Sequence, residues 1–198
     1  MRMGRNTSYK VTKTAIAPGW LANGAGAGAF KRLPYDLALL VTEDPIEVGA
    51  PESELVLDTQ PSLPEASRRG VLVAFGGEHC ASYSQCDDAG VRRVLPVVIK
   101  DGADCFPSRR EREAGLPGAM WCMESAAMPG DSGGALLVEA ADGKLSYVGV
   151  ISVRRGLPLE LFALASTRRS AAAAISANRD FILETARALG YAPLSSGP

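Results

Sequence analysis

One short segment of the sequence carries residues that could do chemistry, Gly130-Asp131-Ser132-Gly133-Gly134. A serine hydroxyl becomes a useful nucleophile only when a base removes its proton, and the resulting oxyanion needs N–H donors held in place. Glycines on both sides let the backbone turn sharply, which would aim the N–H groups of Gly130 and Ser132 into one concavity. The segment therefore predicts nucleophilic catalysis at Ser132. A tight glycine turn that merely contains a serine is the alternative.

The same segment also fits the pattern G-x-S-x-G, which marks the nucleophile of α/β-hydrolases. That fold requires a strand before the serine, a helix after it and a histidine later in the chain. Here the residues after Ser132 are typical of a β-hairpin, and the single histidine of the sequence, His79, precedes the serine. The α/β-hydrolase interpretation is excluded on both counts.

The elements that must position this segment are mostly short β-strands, because the 21 glycines and 13 prolines are spread along the chain without a period. The strand over residues 91–99 is expected to be interrupted at Pro96. Near the C-terminus the pattern predicts one helix, capped by Ser176 and ended by Gly190. The other predicted strands are residues 9–16, 35–41, 71–75, 135–138, 145–153 and 161–165.

Several segments, in order along the chain, resemble the chymotrypsin-like (trypsin-fold) serine peptidases. The segment around Ser132 resembles the active-serine region of that family, and Tyr35-Asp36-Leu37-Ala38-Leu39-Leu40 resembles the segment around its catalytic aspartate. Further similarities lie in residues 73–77, 147–152 and 175–182. The resemblance extends from about residue 9 to residue 190.

The resemblance implies an all-β fold, a chymotrypsin-like double β-barrel with its first barrel truncated and a C-terminal α-helix. Residues 1–69 would be the remnant of the first barrel and the inter-barrel connection, residues 70–175 the second barrel, and residues 176–198 the helix and tail. The implied activity is that of a serine endopeptidase, which hydrolyses peptide bonds without a metal or organic cofactor.

Carried over residue by residue, the resemblance implies Ser132 as the nucleophile, Asp36 as the carboxylate that orients the histidine, and Gly130 with Ser132 as the oxyanion hole. The residue six before the serine is acidic in members that cleave after lysine or arginine, and Ala126 at that position argues against this preference. The residues implied to line the substrate pocket are Ala126, Ala127, Ser152, Val153 and Arg154.

Two residues of this set leave alternatives open. Arg154 stands where the family often has glycine, so its side chain either narrows the pocket or lies solvated at the rim. In many members the residue at the position of Asp131 pairs with a newly cleaved amino terminus. No such activation sequence is visible here, so the partner of Asp131 is left open.

The histidine of the family's triad is missing from its expected place, because no histidine precedes Asp36. His79 falls in a loop remote from the family's catalytic cleft. The order Asp36, His79, Ser132 also occurs in subtilisin-like peptidases, but the β pattern contradicts their α/β fold. Three explanations follow in order of preference: a chain shortened at its N-terminus, a pseudoenzyme that uses the cleft for binding, and an unusual dyad with His79. By itself the chain is expected to be almost inactive.

The four cysteines have no paired C-x-x-C spacing, which argues against structural zinc and favours disulfides over four buried thiols. The resemblance implies a bond between Cys105 and Cys122, while Cys80 and Cys86 could close a local loop. An oxidising compartment, secreted or periplasmic, is therefore expected. The first eight residues lack the apolar centre of a signal peptide, which a shortened N-terminus would explain.

Composition excludes several other partners. The chain has 198 residues, 46% of them hydrophobic, and a net charge of −1. Such a chain can bury enough surface to fold, and it offers no electrostatic footprint for nucleic acid or an anionic membrane. A soluble monomer acting on a protein or peptide substrate is expected.

Overall fold

The structure is a computed structural model, which describes residues 8–23, 29–46, 56–57, 68–77, 80–82, 85–86, 90–124, 127–128, 130–139, 145–155 and 169–191. Its strands are β1 (Val11–Ile16), β2 (Ala38–Thr42), β3 (Val56–Leu57), β4 (Arg68–Ala74), β5 (Cys80–Ser82), β6 (Gln85–Cys86), β7 (Arg93–Asp101), β8 (Met120–Met123), β9 (Ala135–Glu139), β10 (Leu145–Arg155) and β11 (Arg169–Ala174). Its helices are α1 (Pro18–Ala22), α2 (Ala29–Arg32), α3 (Gly102–Cys105), α4 (Arg109–Glu113), α5 (Leu116–Ala119) and α6 (Arg179–Ala188). The predicted all-β class with a C-terminal helix is confirmed.

Six strands close into a barrel in the order β11-β8-β7-β4-β9-β10, because β10 pairs back onto β11. Strand β3 adds to the outside of β10 as a parallel neighbour. Inward-facing side chains, which alternate along each strand, fill the barrel, among them Leu72, Val97, Ile99, Leu136 and Val138. Closure leaves these six strands without a free edge, so the barrel can hold loops at its rim in fixed positions.

Strand β7 runs without a break from Arg93 to Asp101, so the expected interruption at Pro96 is wrong. Pro96 faces Val71 of β4, whereas β8 pairs with β7 only from Ile99 onward. Proline is tolerated at this point because the β8 side of the strand has no paired neighbour there in the described residues.

A second apolar cluster lies outside the barrel, where α3 and α5 pack on β8 and β11. The predicted Cys105–Cys122 disulfide is present in this cluster, with the two Cα atoms 5.4 Å apart. Both cysteines are buried. Cys80 and Cys86 are register partners across β5 and β6. The short helices that follow β7 are thereby tied to the barrel wall.

Ahead of the barrel, β1 and β2 form an antiparallel two-stranded sheet in which Ile16 faces Ala38. The chain between them contains α1, α2 and a 3₁₀ turn, Leu33–Tyr35. The predicted strand over residues 35–41 therefore begins three residues late, and Asp36 lies at the end of the turn instead. The proposed division at residues 69 and 175 stays a prediction.

The C-terminal helix α6 begins at Arg179 rather than at the predicted cap, because Ser176 starts a 3₁₀ turn that ends at Asn178. Gly190 ends the helix as predicted. It has a φ of 87°, and the Tyr191 N–H donates to the Ala186 carbonyl at 2.9 Å. None of the helices in the described ranges has the length and apolar character needed to cross a membrane. The predicted strand at residues 161–165 lies outside the described residues.

Candidate active site

The Ser132 segment forms a tight turn that leads into β9. Gly130 has a φ of 89°, which favours glycine over residues with a side chain. The Asp131 N–H donates to the Met128 carbonyl at 3.0 Å, and the Gly134 N–H donates to the Asp131 carbonyl at 2.9 Å. Ser132 is exposed at the apex of this turn. The residue is therefore accessible from solution.

Backbone hydrogen bonds fix this turn against β10. The Gly133 N–H donates to the Ile151 carbonyl at 2.8 Å, and the Ile151 N–H donates to the Gly134 carbonyl at 2.9 Å. Gly134 leaves no room for a side chain, since a Cβ there would lie 2.8 Å from the Asp131 carbonyl oxygen and 2.9 Å from the Ala74 Cβ. The position of Ser132 is thus set by two strands of the closed barrel.

Asp36 reaches the same strand from outside the barrel. Its N–H donates to the Leu33 carbonyl at 3.2 Å, which closes the preceding 3₁₀ turn. The Ser152 hydroxyl donates to Asp36 Oδ2 at 2.7 Å. Ser152 follows Ile151 directly and lies at the irregularity in the β10–β11 pairing, where the register shifts between Ile151 and Val153. Such an irregularity redirects a side chain, and here it lets Ser152 hold a carboxylate beside the Ser132 turn.

A buried asparagine holds the turn that carries Asp36. Asn178 is only 4% exposed, and its Nδ2 donates to the Pro34 carbonyl at 2.7 Å and to the Ala174 carbonyl at 2.9 Å. Both amide hydrogens are thus used, one on the turn before Asp36 and one on the end of β11. The Asp36 segment is therefore anchored to the barrel through Asn178.

Ser170 contacts residues from both sides of the predicted substrate pocket, which itself stays a prediction. Ala127 is buried, and its N–H donates to the Ser170 hydroxyl at 2.7 Å. On β10, Val153 and Arg154 lie in register with Ala171 and Ser170 of β11. The side chains of Val153 and Arg154, and the whole of Ala126, fall outside what the structure describes. The described backbone thus brings the two predicted pocket walls together across β11.

The side chain of Asp131 points away from solvent and is completely buried, at 0% exposure. Its Oδ1 accepts from the Gly76 N–H at 2.9 Å. Its Oδ2 accepts from the Met128 N–H at 2.6 Å and from Arg93 Nη2 at 2.8 Å. The partner that the sequence left open is therefore Arg93.

Sequence reasoning missed three residues of this site: Arg93, Ser170 and Asn178. Arg93 is the second of two adjacent arginines, and nothing in the sequence indicates that it alone turns inward. Ser170 precedes four alanines, a pattern that indicates close packing without a specific partner. His79 lies outside the described residues. In the described part of the chain, no three His, Cys, Asp or Glu side chains lie close enough together to hold a metal ion.

Comparison with known proteins gives one family match. The family model described as Trypsin matches residues 2–161, a span that includes Asp36, Ser132 and Ser152. None of the curated proteins matches the chain. The matched span covers most of the chain, and it contains β1 to β10 with the serine turn between β8 and β9. The chain belongs to the trypsin family, whose members are the chymotrypsin-like serine peptidases.

Proposed function

We propose that the chain is a serine-type endopeptidase that works through an acyl-enzyme on Ser132. Oγ of Ser132 attacks the peptide carbonyl carbon, a base carries its proton to the leaving amine, and water later releases the acid. The N–H groups of Gly130 and Ser132 receive the oxyanion. Asp36 orients the base. Apart from family membership, one observation carries this proposal: the Asp36–Ser152 hydrogen bond, which joins residues 116 positions apart beside the serine turn.

The substrate would be a protein or peptide, with a side-chain preference that is not basic. Ala126 and Ala127 supply no carboxylate at the predicted base and wall of the pocket, and Ser152, Val153 and Arg154 form the opposite side. The Cys105–Cys122 disulfide supports a secreted or periplasmic location, since such bonds persist in oxidising compartments. We further propose that the protein acts as a monomer.

The base is the part of this mechanism that the described residues do not supply. His79 is the single histidine in the sequence. Our proposal is that His79 is not the base, and that a peptide substrate acylates Ser132 of this 198-residue chain only slowly. A serine held in a complete oxyanion hole but without a base keeps only a small part of the family's rate enhancement.

A fluorophosphonate reagent tests the proposal, because Ser132 Oγ would attack its phosphorus and expel fluoride. We expect slow labelling of the chain, faster labelling when free imidazole is added as a substitute base, and none in Ser132→Ala. Asp36→Asn should remove most of the imidazole effect, whereas His79→Ala should change nothing. Rapid labelling without imidazole that disappears in His79→Ala would instead assign the base to His79.

The single histidine also favours a second candidate, a catalytically inactive homologue that binds a partner in the cleft. In that case labelling with imidazole would not exceed the rate in Ser132→Ala. Binding of a peptide ligand would weaken in Ser152→Ala and Arg154→Ala while Ser132→Ala left it nearly unchanged. The two candidates therefore differ in their essential residues: Ser132 for the reaction with the reagent, or Ser152 and Arg154 for peptide binding.

A further inference from the structure

Arg32 is a positively charged residue whose guanidinium has an aromatic partner but, among the described residues, no acidic one. Its Cζ atom lies 3.9 Å from the centre of the Trp20 ring, within the range of a cation–π interaction. The described ion pairs are formed by other residues, and the buried Nε of Arg32 donates to no atom of the described chain. A cation that is held in one orientation without a counter-ion can receive an anion from another molecule.

The ring beneath Arg32 belongs to a fixed part of the chain. The Trp20 N–H donates to the Ala17 carbonyl at 2.9 Å, and Ala17 is only 1% exposed. Gly19 lies directly against the ring of Tyr35, since a Cβ at Gly19 would be 2.4 Å from atoms of that ring. The segment that carries Trp20 is therefore packed on the 3₁₀ turn that directly follows Arg32.

A carboxylate fits the part of Arg32 that the ring leaves free. When a guanidinium stacks on an aromatic ring, its N–H groups still point outward in its own plane, where they match both oxygens of a carboxylate. The surrounding segment attracts such a group, because residues 8–42 contain four basic residues and one acidic residue, Asp36. The Asp36 carboxylate already accepts from Ser152. Because Arg32 is half-buried, water screens its charge less than that of the exposed Lys31.

Arg32 also lies near the proposed reaction centre. A single 3₁₀ turn separates Arg32 from Asp36, and at about 2 Å per residue the chain between them spans roughly 8 Å. Asp36 is held beside the Ser132 turn by its hydrogen bond from Ser152. An extended peptide advances about 3.3 Å per residue, so a side chain about two to four residues from the bond under attack covers this distance.

We propose that Arg32, held against Trp20, binds an aspartate or glutamate side chain of the substrate near the peptide bond that Ser132 attacks. The proposal rests on the proposed function of Ser132 and deepens it, because it names acidic peptides as the substrate class. Arg32 is not one of the residues predicted to line the substrate pocket. The acidic side chain is therefore a neighbour of the substrate residue that enters the pocket.

Peptide binding tests this role without the chemistry of Ser132. The probes are alanine–serine hexapeptides with blocked ends that carry one glutamate, moved from position to position, and the matching glutamine peptides. Binding to the Ser132→Ala chain is followed by the fluorescence of Trp20, since Trp121 is only 4% exposed. At one or more positions glutamate should bind about fivefold more tightly than glutamine, the upper range for an ion pair near the surface. Arg32→Gln should abolish this difference, whereas the matched control Lys31→Gln, which removes the adjacent charge, should keep it.

A second measurement connects the site to Ser132. Fluorophosphonates that carry the preferred glutamate peptide or its glutamine counterpart should label Ser132 in the presence of imidazole at rates that differ about fivefold. Arg32→Gln should make the two rates equal. Arg32→Lys keeps the charge but loses the planar guanidinium, so it should retain only part of the preference, and it serves as the test variant if Arg32→Gln does not fold.

Three results would overturn the proposal. Equal losses of binding in Arg32→Gln and Lys31→Gln would mean that net charge alone attracts the peptide. The other two are the lack of any position at which glutamate binds more tightly than glutamine, and equal labelling rates for the two reagents in the parent chain. If glutamate peptides bind through Arg32 but neither reagent labels Ser132, the proposed function fails and Arg32 remains a carboxylate-binding residue.

Discussion

Replacing Ser152 by alanine should remove the hydrogen bond that holds Asp36, and the loss of stability follows from the geometry of that bond. The bond runs from a neutral hydroxyl to a carboxylate at 2.7 Å. Hydrogen bonds to charged groups contribute about 1.5–3 kcal/mol when buried, and water replaces part of this because both residues are only half-buried. We therefore expect Ser152→Ala to lower the free energy of unfolding by about 1 kcal/mol.

A double-mutant cycle in urea isolates this contribution. The variants are Ser152→Ala, Asp36→Ala and the double change, and their coupling energy should be about 1 kcal/mol. Imidazole-stimulated labelling of Ser132 should fall about fivefold in Ser152→Ala, which corresponds to the same free energy. Ser146→Ala, a half-buried serine on the same strand, is the control. A coupling energy below about 0.3 kcal/mol, the usual error of additivity, would refute the reasoning.

Three further predictions concern the framework of the site. Exchange of Cys105 and Cys122 for alanine should lower the free energy of unfolding by about 3 kcal/mol in chemical denaturation, because the bond closes a loop with a sequence separation of 17; equal stability of oxidised and reduced chains would contradict this. Gly134→Ala should lower the free energy of unfolding by about 1–3 kcal/mol and reduce labelling of Ser132, because the new Cβ would contact backbone atoms that cannot move away. An unchanged melting temperature in this variant would contradict the prediction. Burial raises the pKa of the Tyr147 phenol above its value in the unfolded chain. The contribution of this phenol to stability is therefore fully present below about pH 10 and is lost as pH rises through the folded pKa. In strong alkali Tyr147→Phe should unfold less readily than the parent, and identical plots of unfolding free energy against pH for the two proteins would count against the shift.

The serine and aspartate segments could be predicted from the sequence because their signals are local. The glycines around Ser132 permit a sharp turn, and the apolar run after Asp36 predicts a strand. Asp131 was recognised in the same way, but its partner was not. Arg93 is 38 residues earlier, and only the closed barrel determines which of two adjacent arginines faces inward.

Two local rules failed where tertiary contacts outweigh them. Pro96 was expected to interrupt β7, yet the strand continues because β8 reaches β7 only beyond it. Ser176 was expected to cap α6, but the helix starts three residues later. Asn178, which occupies the cap position, makes no side-chain capping bond, and its Nδ2 donates instead to the carbonyls of Pro34 and Ala174. In both cases the packing of other segments outweighs the local preference.

The hydrogen bond from Asn178 to the Pro34 carbonyl spans 144 residues of chain. During synthesis the turn before Asp36 leaves the ribosome before Asn178 does. Its hydrogen bond to Asn178 can form only after Asn178 has also emerged. Ser152, which binds Asp36 itself, also emerges long after it. A growing chain therefore cannot complete the aspartate side of the cleft until Asn178 has been synthesised, which is after every strand of the barrel.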